Sequence, residues 1–433
     1  MNLKLAVAAA LAAALVTSCV SSDSGSKREV FEPASSVEET FRWHRAQPKN
    51  TAWWDVVGEQ QAWYFKNIQQ VYPSVTVYRA GAVRELDYRL MDDVANFPVQ
   101  TPSGSVRFAD FLNSDDSTTM GLVILHKGEI VFEAYPRMEP YQKPIYWSVA
   151  KVFVSTLVAI LEDRGLVDVT KAIEHYIPEL KDSQLAGIRV RDILDMASGV
   201  DCTDDYADFD ACYFRYETSL GDGFRTETSP DNPYDMLVEF DYGHWAKPGT
   251  GYDYSGVNTF LLGWMVEKIT GMPFQDALTR EIWRHIGAEA DAAIFAGRYG
   301  VPLTHGGLIA KLRDVARFGL LFTPSYEVVS EQKIISDRYL DRILYGGRPE
   351  LLANSRFRAP PEGAGVKHNV YQWDLVFDNN DFYKGGWAGQ GLLINAERDY
   401  VAVYAGYFKD AEHSETDLLP ILREVLEGVF GNP

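Results

Sequence analysis

The sequence predicts an α/β (α+β) chain, in which an antiparallel sheet is flanked by helices and accompanied by an all-helical lobe. Three observations predict it. Residues 121–126 and 129–135 are two apolar runs on either side of Lys127-Gly128, the spacing of a hairpin. From about 148 to 345 the apolar residues recur mostly with a helical period. The final third returns to short alternating or apolar runs and closes on one more helical stretch. Strands at both ends of the chain require a sheet assembled from both ends.

In chain order, a single cation at Lys4 precedes an uninterrupted small apolar run over 5–16, too short to span a membrane and of the kind that directs export. It ends Val16-Thr17-Ser18-Cys19, which resembles a bacterial lipoprotein cleavage box and implies lipidation of Cys19. An ordinary signal peptide cut nearby is the alternative. Val20 and Ser21 follow in place of the aspartate that resembles an inner-membrane retention signal, so the expected location is the periplasmic side of the outer membrane. The expected organisation is a signal at 1–18, a Ser/Glu/Lys-rich flexible tether at 19–50, and one domain at 51–433. Its helical lobe, about 148–345, is inserted between sheet-forming segments. The 415 residues left after the signal are enough for two packed lobes around a substantial core.

After the hairpin, a helix starts at Ser148 and runs through Val152, Phe153, Val154, Leu157, Val158, Ile160 and Leu161 to a stop at Gly165. Residues 188–198 read as a short helix stopped by Gly199. Residues 258–270 form another, with Leu261, Leu262, Met265, Val266 and Ile269 on one face before Gly271, and 308–321 a third. Strands are expected at 371–377, 391–395 and 400–407, separated by Asp378-Asn379-Asn380 and Glu397-Arg398-Asp399 turns. A closing helix at 418–429 would cover one sheet face. There is no internal repeat.

The formal charge of −20 is uneven, since residues 201–241 carry twelve acids against Arg215 and Arg225. No basic patch offers itself to phosphate, which argues against nucleic acid as a partner. The acidic stretch reads either as a solvated loop or as a lid favouring cationic or amine-bearing substrates. Within it, Cys202 and Cys212 stand ten positions apart in a chain expected to be exported, and a disulfide between them is expected.

Ser148 and Lys151 carry the chemistry. Three residues apart on a helix, they share a face, and a desolvated lysine amine can take the proton of a serine hydroxyl that is otherwise a poor nucleophile. The same spacing recurs at Ser24 and Lys27 and at Ser330 and Lys333, but neither copy opens an apolar helix. A helix apolar nearly all round is buried, and a buried lysine requires a partner. The structural alternative is a serine N-cap followed by a lysine that snorkels to solvent.

Trp147-Ser148-Val149-Ala150-Lys151, the stretch Ile188-Arg189-Val190-Arg191-Asp192-Ile193-Leu194-Asp195-Met196-Ala197-Ser198-Gly199, Tyr254-Ser255-Gly256-Val257-Asn258 and Leu312-Arg313-Asp314-Val315-Ala316-Arg317-Phe318-Gly319 together resemble the serine β-lactamase-related hydrolases. Over roughly 110–430 the chain is most similar to the branch of class C β-lactamases, family VIII esterases and 6-aminohexanoate-dimer hydrolases. The resemblance implies a β-lactamase/transpeptidase-like fold. It implies Tyr254 as a second catalytic group sharing the base role, with Lys151 and Lys384 favouring its phenolate. It also implies a substrate-binding strand at Lys384-Gly385-Gly386-Trp387, and an oxyanion hole from the backbone N–H groups of Ser148 and Trp387. The bland alternatives are a core tyrosine capping the next helix and a glycine bulge beside a solvated Lys384.

Gly256 departs from the pattern. Asparagine usually stands there to grip an amide, so β-lactam recognition is in doubt while acyl transfer is not. The glutamate by which class A lactamases activate water is also missing, so deacylation must reuse Tyr254 and Lys151. There is no G-x-S-x-G elbow, H-E-x-x-H motif or P-loop, and the eight histidines, His126, His175 and His305 among them, offer no metal-binding pairs. The expected protein is a serine hydrolase for a carboxylester or small linear amide, needing no metal or organic cofactor and held to the membrane by its N-terminal lipid. The rival expectations are a β-lactamase or D,D-peptidase, and a non-catalytic envelope lipoprotein on the same fold.

Overall fold

Seven strands pair into one antiparallel sheet in the computed structural model. They are β1 (Thr119–His126), β2 (Glu129–Ala134), β3 (Val366–Val370), β4 (Trp373–Phe377), β5 (Phe382–Gly386), β6 (Gln390–Asn395) and β7 (Tyr400–Gly406). Their spatial order is β3-β4-β5-β6-β7-β1-β2, so the early hairpin docks on the last strand. The structure describes residues 56–101, 104–204, 211–220, 232–241, 243–297, 300–357, 360 and 363–431, with isolated positions 36, 38 and 42. The expected signal, Cys19 and most of the tether lie outside the described residues.

Both faces of the sheet are covered, which is why its central strands read as continuous apolar runs. Leu122 and Ile124 of β1 with Leu393, Ala402 and Tyr404 meet a terminal helix on one face. That helix, Leu418–Phe430, presents Leu418, Leu422, Val425 and Leu426 to the sheet, a single helical stripe. The alternating Val123, Leu125, Leu392, Val401 and Val403 face the other way. There they join the core with α1 (Ala150–Asp163), α2 (Gly256–Thr270) and α3 (Leu312–Leu320). No described helix is long and apolar enough to cross a membrane.

Three elements differ from the sequence expectation. The helix expected over 188–198 spans only Val190–Leu194, because Met196 turns left-handed at φ 56° and the N–H groups of Met196 and Ala197 return to the carbonyls of Ile193 and Asp192. This is a Schellman stop on a non-glycine residue. Leu308–Ile309 is a short strand, paired with Ala292–Phe295, which in turn pairs Ser74–Val77. The helix following it starts only at Leu312, so the described part of the 148–345 span is not all-helical but includes short strands and loops between its helices. Tyr371 and Gln372 are the positive-φ turn between β3 and β4 rather than the start of a strand, at φ 46° and 67°.

Candidate active site

The serine enters the site on a strained turn. Backbone bonds from Ile145 to the Phe65 carbonyl (3.0 Å) and from Tyr146 to the Leu308 carbonyl (2.8 Å) fix the approach. Trp147 then adopts φ 45°. For a bulky residue that conformation costs on the order of 1–3 kcal/mol, so the surroundings must hold it. The rings of Phe65 and Trp387 do so, with centroids 5.5 and 5.8 Å from that of Trp147. The 3-10 turn Trp147–Val149 runs straight into α1 with no side-chain cap. Ser148 is therefore not an N-cap.

Lys151 points inward and is fully buried. Its Nζ donates to Ser148 Oγ at 3.1 Å and to the His305 carbonyl at 2.8 Å, and lies 4.0 Å from Asp204 Oδ2. A snorkelling lysine would have kept its amine in water. The buried amine instead has the partners that dehydration demands.

Tyr254 stands between two lysine side chains. Lys384 Nζ donates to its hydroxyl at 2.8 Å and sits 4.6 Å from the ring centroid, while Lys151 Nζ is 5.0 Å from that centroid. Lys384 is fully buried rather than solvated, and Asp374 of β4 anchors it at 2.5 Å. The second carboxylate oxygen of Asp374 accepts the Gly385 N–H at 3.0 Å, so one acid fixes both the lysine and the strand. Sequence reasoning missed Asp374. Its signal was a lone acid within the apolar run Trp373-Asp374-Leu375-Val376-Phe377.

Two glycines allow this closeness. A Cβ at Gly386 would fall 2.4 Å from the Tyr146 carbonyl oxygen, so only glycine lets β5 lie against the serine turn. A Cβ at Gly256 would fall 2.8 Å from the His305 ring and 3.3 Å from Asp204 Oδ1. The space that an asparagine would need is therefore filled by protein. Gly256→Asn is expected to displace His305 and lower both stability and turnover, by about tenfold in rate; an unchanged rate and melting temperature would contradict this crowding.

The acidic stretch does not behave as one solvated face. Asp204 and Glu217 are buried beneath Lys151, while 205–210, 221–231 and 242 lie outside the described residues. Asp204 Oδ1 accepts the Gly256 N–H at 2.6 Å. His305 Nδ1 meets the Tyr216 hydroxyl at 2.8 Å. Its Nε2 is 2.8 Å from Glu217 Oε1, a close polar contact without hydrogen-bond alignment. His305 is thus buried beside the Lys151 amine, its ring held by Tyr216. Burial, then the charge of Lys151, pulls its imidazole down to about 3. Burial, then Asp204, pushes Glu217 up to about 8. Cys202 and Cys212, which flank this region, are disulfide-bonded with Cα atoms 5.1 Å apart. His126 stacks on Phe430 and His175 meets Tyr176, both away from this cluster.

These two groups set a pH dependence of stability. Glu217 rises from an ordinary 4.5, so its contribution is full below 4.5 and lost as pH climbs through 8. His305 falls from 6.5, so its contribution is present above 6.5 and lost as pH drops through 3. The slopes oppose each other between 4.5 and 6.5, and only the glutamate acts from 6.5 to 8. The wild type should lose on the order of 2 kcal/mol across that upper interval, and Glu217→Gln should remove the loss. Parallel denaturant midpoints in the two proteins would refute the assignment.

A cavity of about 690 Å³ opens above this machinery. Ser148, Tyr254, Gly385, Gly386 and Trp387 line one part of it, together with Asp374. Apolar wall comes from Tyr252, Leu352, Val366, Leu375, Phe377 and Phe408. Trp387 packs edge-on against Phe408 with centroids 4.8 Å apart. Of the residues expected at the site, Ser148, Lys151, Tyr254, Lys384, Gly385, Gly386 and Trp387 thus come together. Among the described residues, no group of three or more His, Cys, Asp or Glu side chains could hold a metal ion.

A family model described as Beta-lactamase matches residues 107–418. The 6-aminohexanoate-dimer hydrolase of Paenarthrobacter ureafaciens is 28% identical over 302 residues, 69% of this chain and 75% of that protein. Among solved structures, the "Putative 6-aminohexanoate-dimer hydrolase from Bacillus anthracis" superposes with a TM-score of 0.72 at 21% identity, covering 86% of this chain and 93% of that one. A family VIII carboxylesterase superposes at 0.55 with 16% identity, covering 79% and 98%. At these identities the two structures establish the likeness of fold.

Proposed function

Since the chain belongs to the β-lactamase family of serine hydrolases, we propose that it cleaves a carboxylester or small linear amide through an acyl-enzyme on Ser148. The contact that carries this reading is the 3.1 Å hydrogen bond from a fully buried Lys151 amine to the Ser148 hydroxyl at the cavity. Ser148 Oγ attacks the carbonyl carbon as its one proton passes to the unprotonated Lys151 amine, and Tyr254 relays that proton onward. The charge developing on the carbonyl oxygen is held by the N–H groups of Ser148 and Trp387. Collapse of the intermediate breaks the ester or amide bond, and the leaving alcohol or amine takes the proton back. Water then attacks the acyl group, with the same lysine and tyrosine serving as base.

Lys384 supports this cycle by placing a second cation on the tyrosine oxygen, which favours a phenolate. Gly256 supports the choice of substrate. With His305 and Asp204 in the space of the missing asparagine, no amide-gripping arm reaches the substrate from that position. The relative from Paenarthrobacter, named for a linear amide dimer, points the same way. A panel of p-nitrophenyl esters, 6-aminohexanoate oligomers and nitrocefin tests the reading. Turnover of esters or linear amides with an acyl burst is expected. Nitrocefin hydrolysis without ester or amide turnover would favour a β-lactamase instead, and no covalent adduct with any of them a non-catalytic lipoprotein.

We also infer that the chain is an exported lipoprotein anchored through Cys19, a reading supported by the apolar run over 5–16 and the Val16-Thr17-Ser18-Cys19 box. Metabolic labelling with an alkyne palmitate is expected for wild type and lost in Cys19→Ser. Equal labelling of both would remove the anchor from the reading.

A further inference from the structure

Asp204 grips the segment that carries Tyr254 from two sides. Its backbone N–H donates to the Tyr254 carbonyl at 3.0 Å, and its Oδ1 accepts from the Gly256 N–H at 2.6 Å. Between them, Ser255 Oγ donates to the Cys202 carbonyl. The remaining oxygen, Oδ2, lies 4.0 Å from Lys151 Nζ, with the lysine fully buried and the aspartate nearly so. A single acid therefore faces one catalytic group through its side chain and holds the backbone of another.

Two residues before it, Cys202 is bonded to Cys212, the first residue of the helix Cys212–Leu220. That helix supplies Tyr216 and Glu217, the polar neighbours of His305. The His305 carbonyl in turn accepts from Lys151. The bridge thus ties together the two acid-bearing pieces of chain that close around the lysine from below.

We propose that Asp204 is a positioning residue for Lys151 and Tyr254, and that the Cys202–Cys212 bridge is the clamp that keeps it in place. The proposal rests on the roles given above to Ser148, Lys151 and Tyr254. Opposite charges 4 Å apart in a dehydrated site attract far more strongly than in water. Asp204 therefore sets where the lysine amine rests and favours its charged form. A closed loop restricts the wandering of residues 202–204, so the carboxylate stays within reach. Among the described residues, the other titratable groups around this pair are Tyr254 and Asp253 on the adjoining segment, Tyr213, Tyr216 and Glu217 on the bridged helix, and His305. None of them is altered by the substitutions that follow.

The test is the pH profile of p-nitrophenyl ester hydrolysis by the full chain as wild type, Asp204→Asn, the Cys202→Ser/Cys212→Ser pair, and all three changes combined. Asp204→Asn is expected to lower kcat at least about tenfold and to move the acid limb of kcat/KM to lower pH by roughly one unit, because the amine loses its counter-charge. The serine pair should move the limb the same way by less, and should add little once Asp204 is gone. Reducing the folded wild type with a phosphine should reproduce the serine pair. An acid limb that stays in place in Asp204→Asn overturns the proposal, even if stability falls. If that variant does not accumulate, the reduced wild type reads the same limb, and an unmoved limb has the same force. Losses that add independently remove the clamp. Fluorophosphonate labelling separates this failure from a deeper one, since a wild type left unlabelled at Ser148 would defeat the catalytic assignment itself.

Discussion

Ser148→Ala is expected to lose at least about 10⁴ in the rate of ester hydrolysis and all labelling by a fluorophosphonate, with its melting temperature nearly unchanged. The hydroxyl removed is small and lines an open cavity, so little packing is lost with it. What disappears is the cavity-lining hydroxyl that accepts a hydrogen bond from the Lys151 amine. Residual turnover would come from the oxyanion donors and substrate binding alone. Equal labelling of wild type and variant would move the nucleophile elsewhere.

Lys151→Met should be nearly as damaging to rate, by about 10³, and should differ by also damaging the fold. Methionine matches the length of the lysine stem but removes the charge, leaving Asp204 buried opposite no cation. Removing one member of a buried pair costs on the order of 3–5 kcal/mol, most of it from the charge left behind. The Lys151→Met/Asp204→Asn double variant should therefore recover much of the stability and none of the activity. Denaturant midpoints measured beside kcat distinguish the two effects. A double variant no more stable than Lys151→Met would show that Asp204 and Lys151 do not share their charge in the folded protein.

The legible part of this site was the part written in local pattern. Burial of Lys151 followed from the apolar helix after it, and that helix separated Ser148 from the two other serine–lysine spacings. Tyr254 and Lys384-Gly385-Gly386 followed from resemblance, and β1, β2 and the terminal helix from their apolar periods. Asp374 stood out only as a lone acid in an apolar run, and its role was hidden because its partner Lys384 is ten residues away across a strand pairing. Asp204 and Glu217 were hidden for a different reason. A sum of charge over 201–241 counts twelve acids alike and cannot tell the ones that leave water from the ones that do not. The misread boundaries share a cause as well. Met196, Tyr371 and Gln372 take positive φ without the glycine or asparagine that ordinarily marks such a turn, because tertiary contacts impose it.

The pairing of β1 with β7 sets Val123 opposite Val403, joining the first strand of the sheet to its last. A chain synthesised from its N-terminus delivers the nucleophile early and Lys384 late, and the hairpin must wait with one edge unpaired until β7 arrives. Catalytic competence would then be the final event of biogenesis. Chains that end before residue 400 would carry Ser148 and Lys151 yet leave bare the β1 edge that β7 covers.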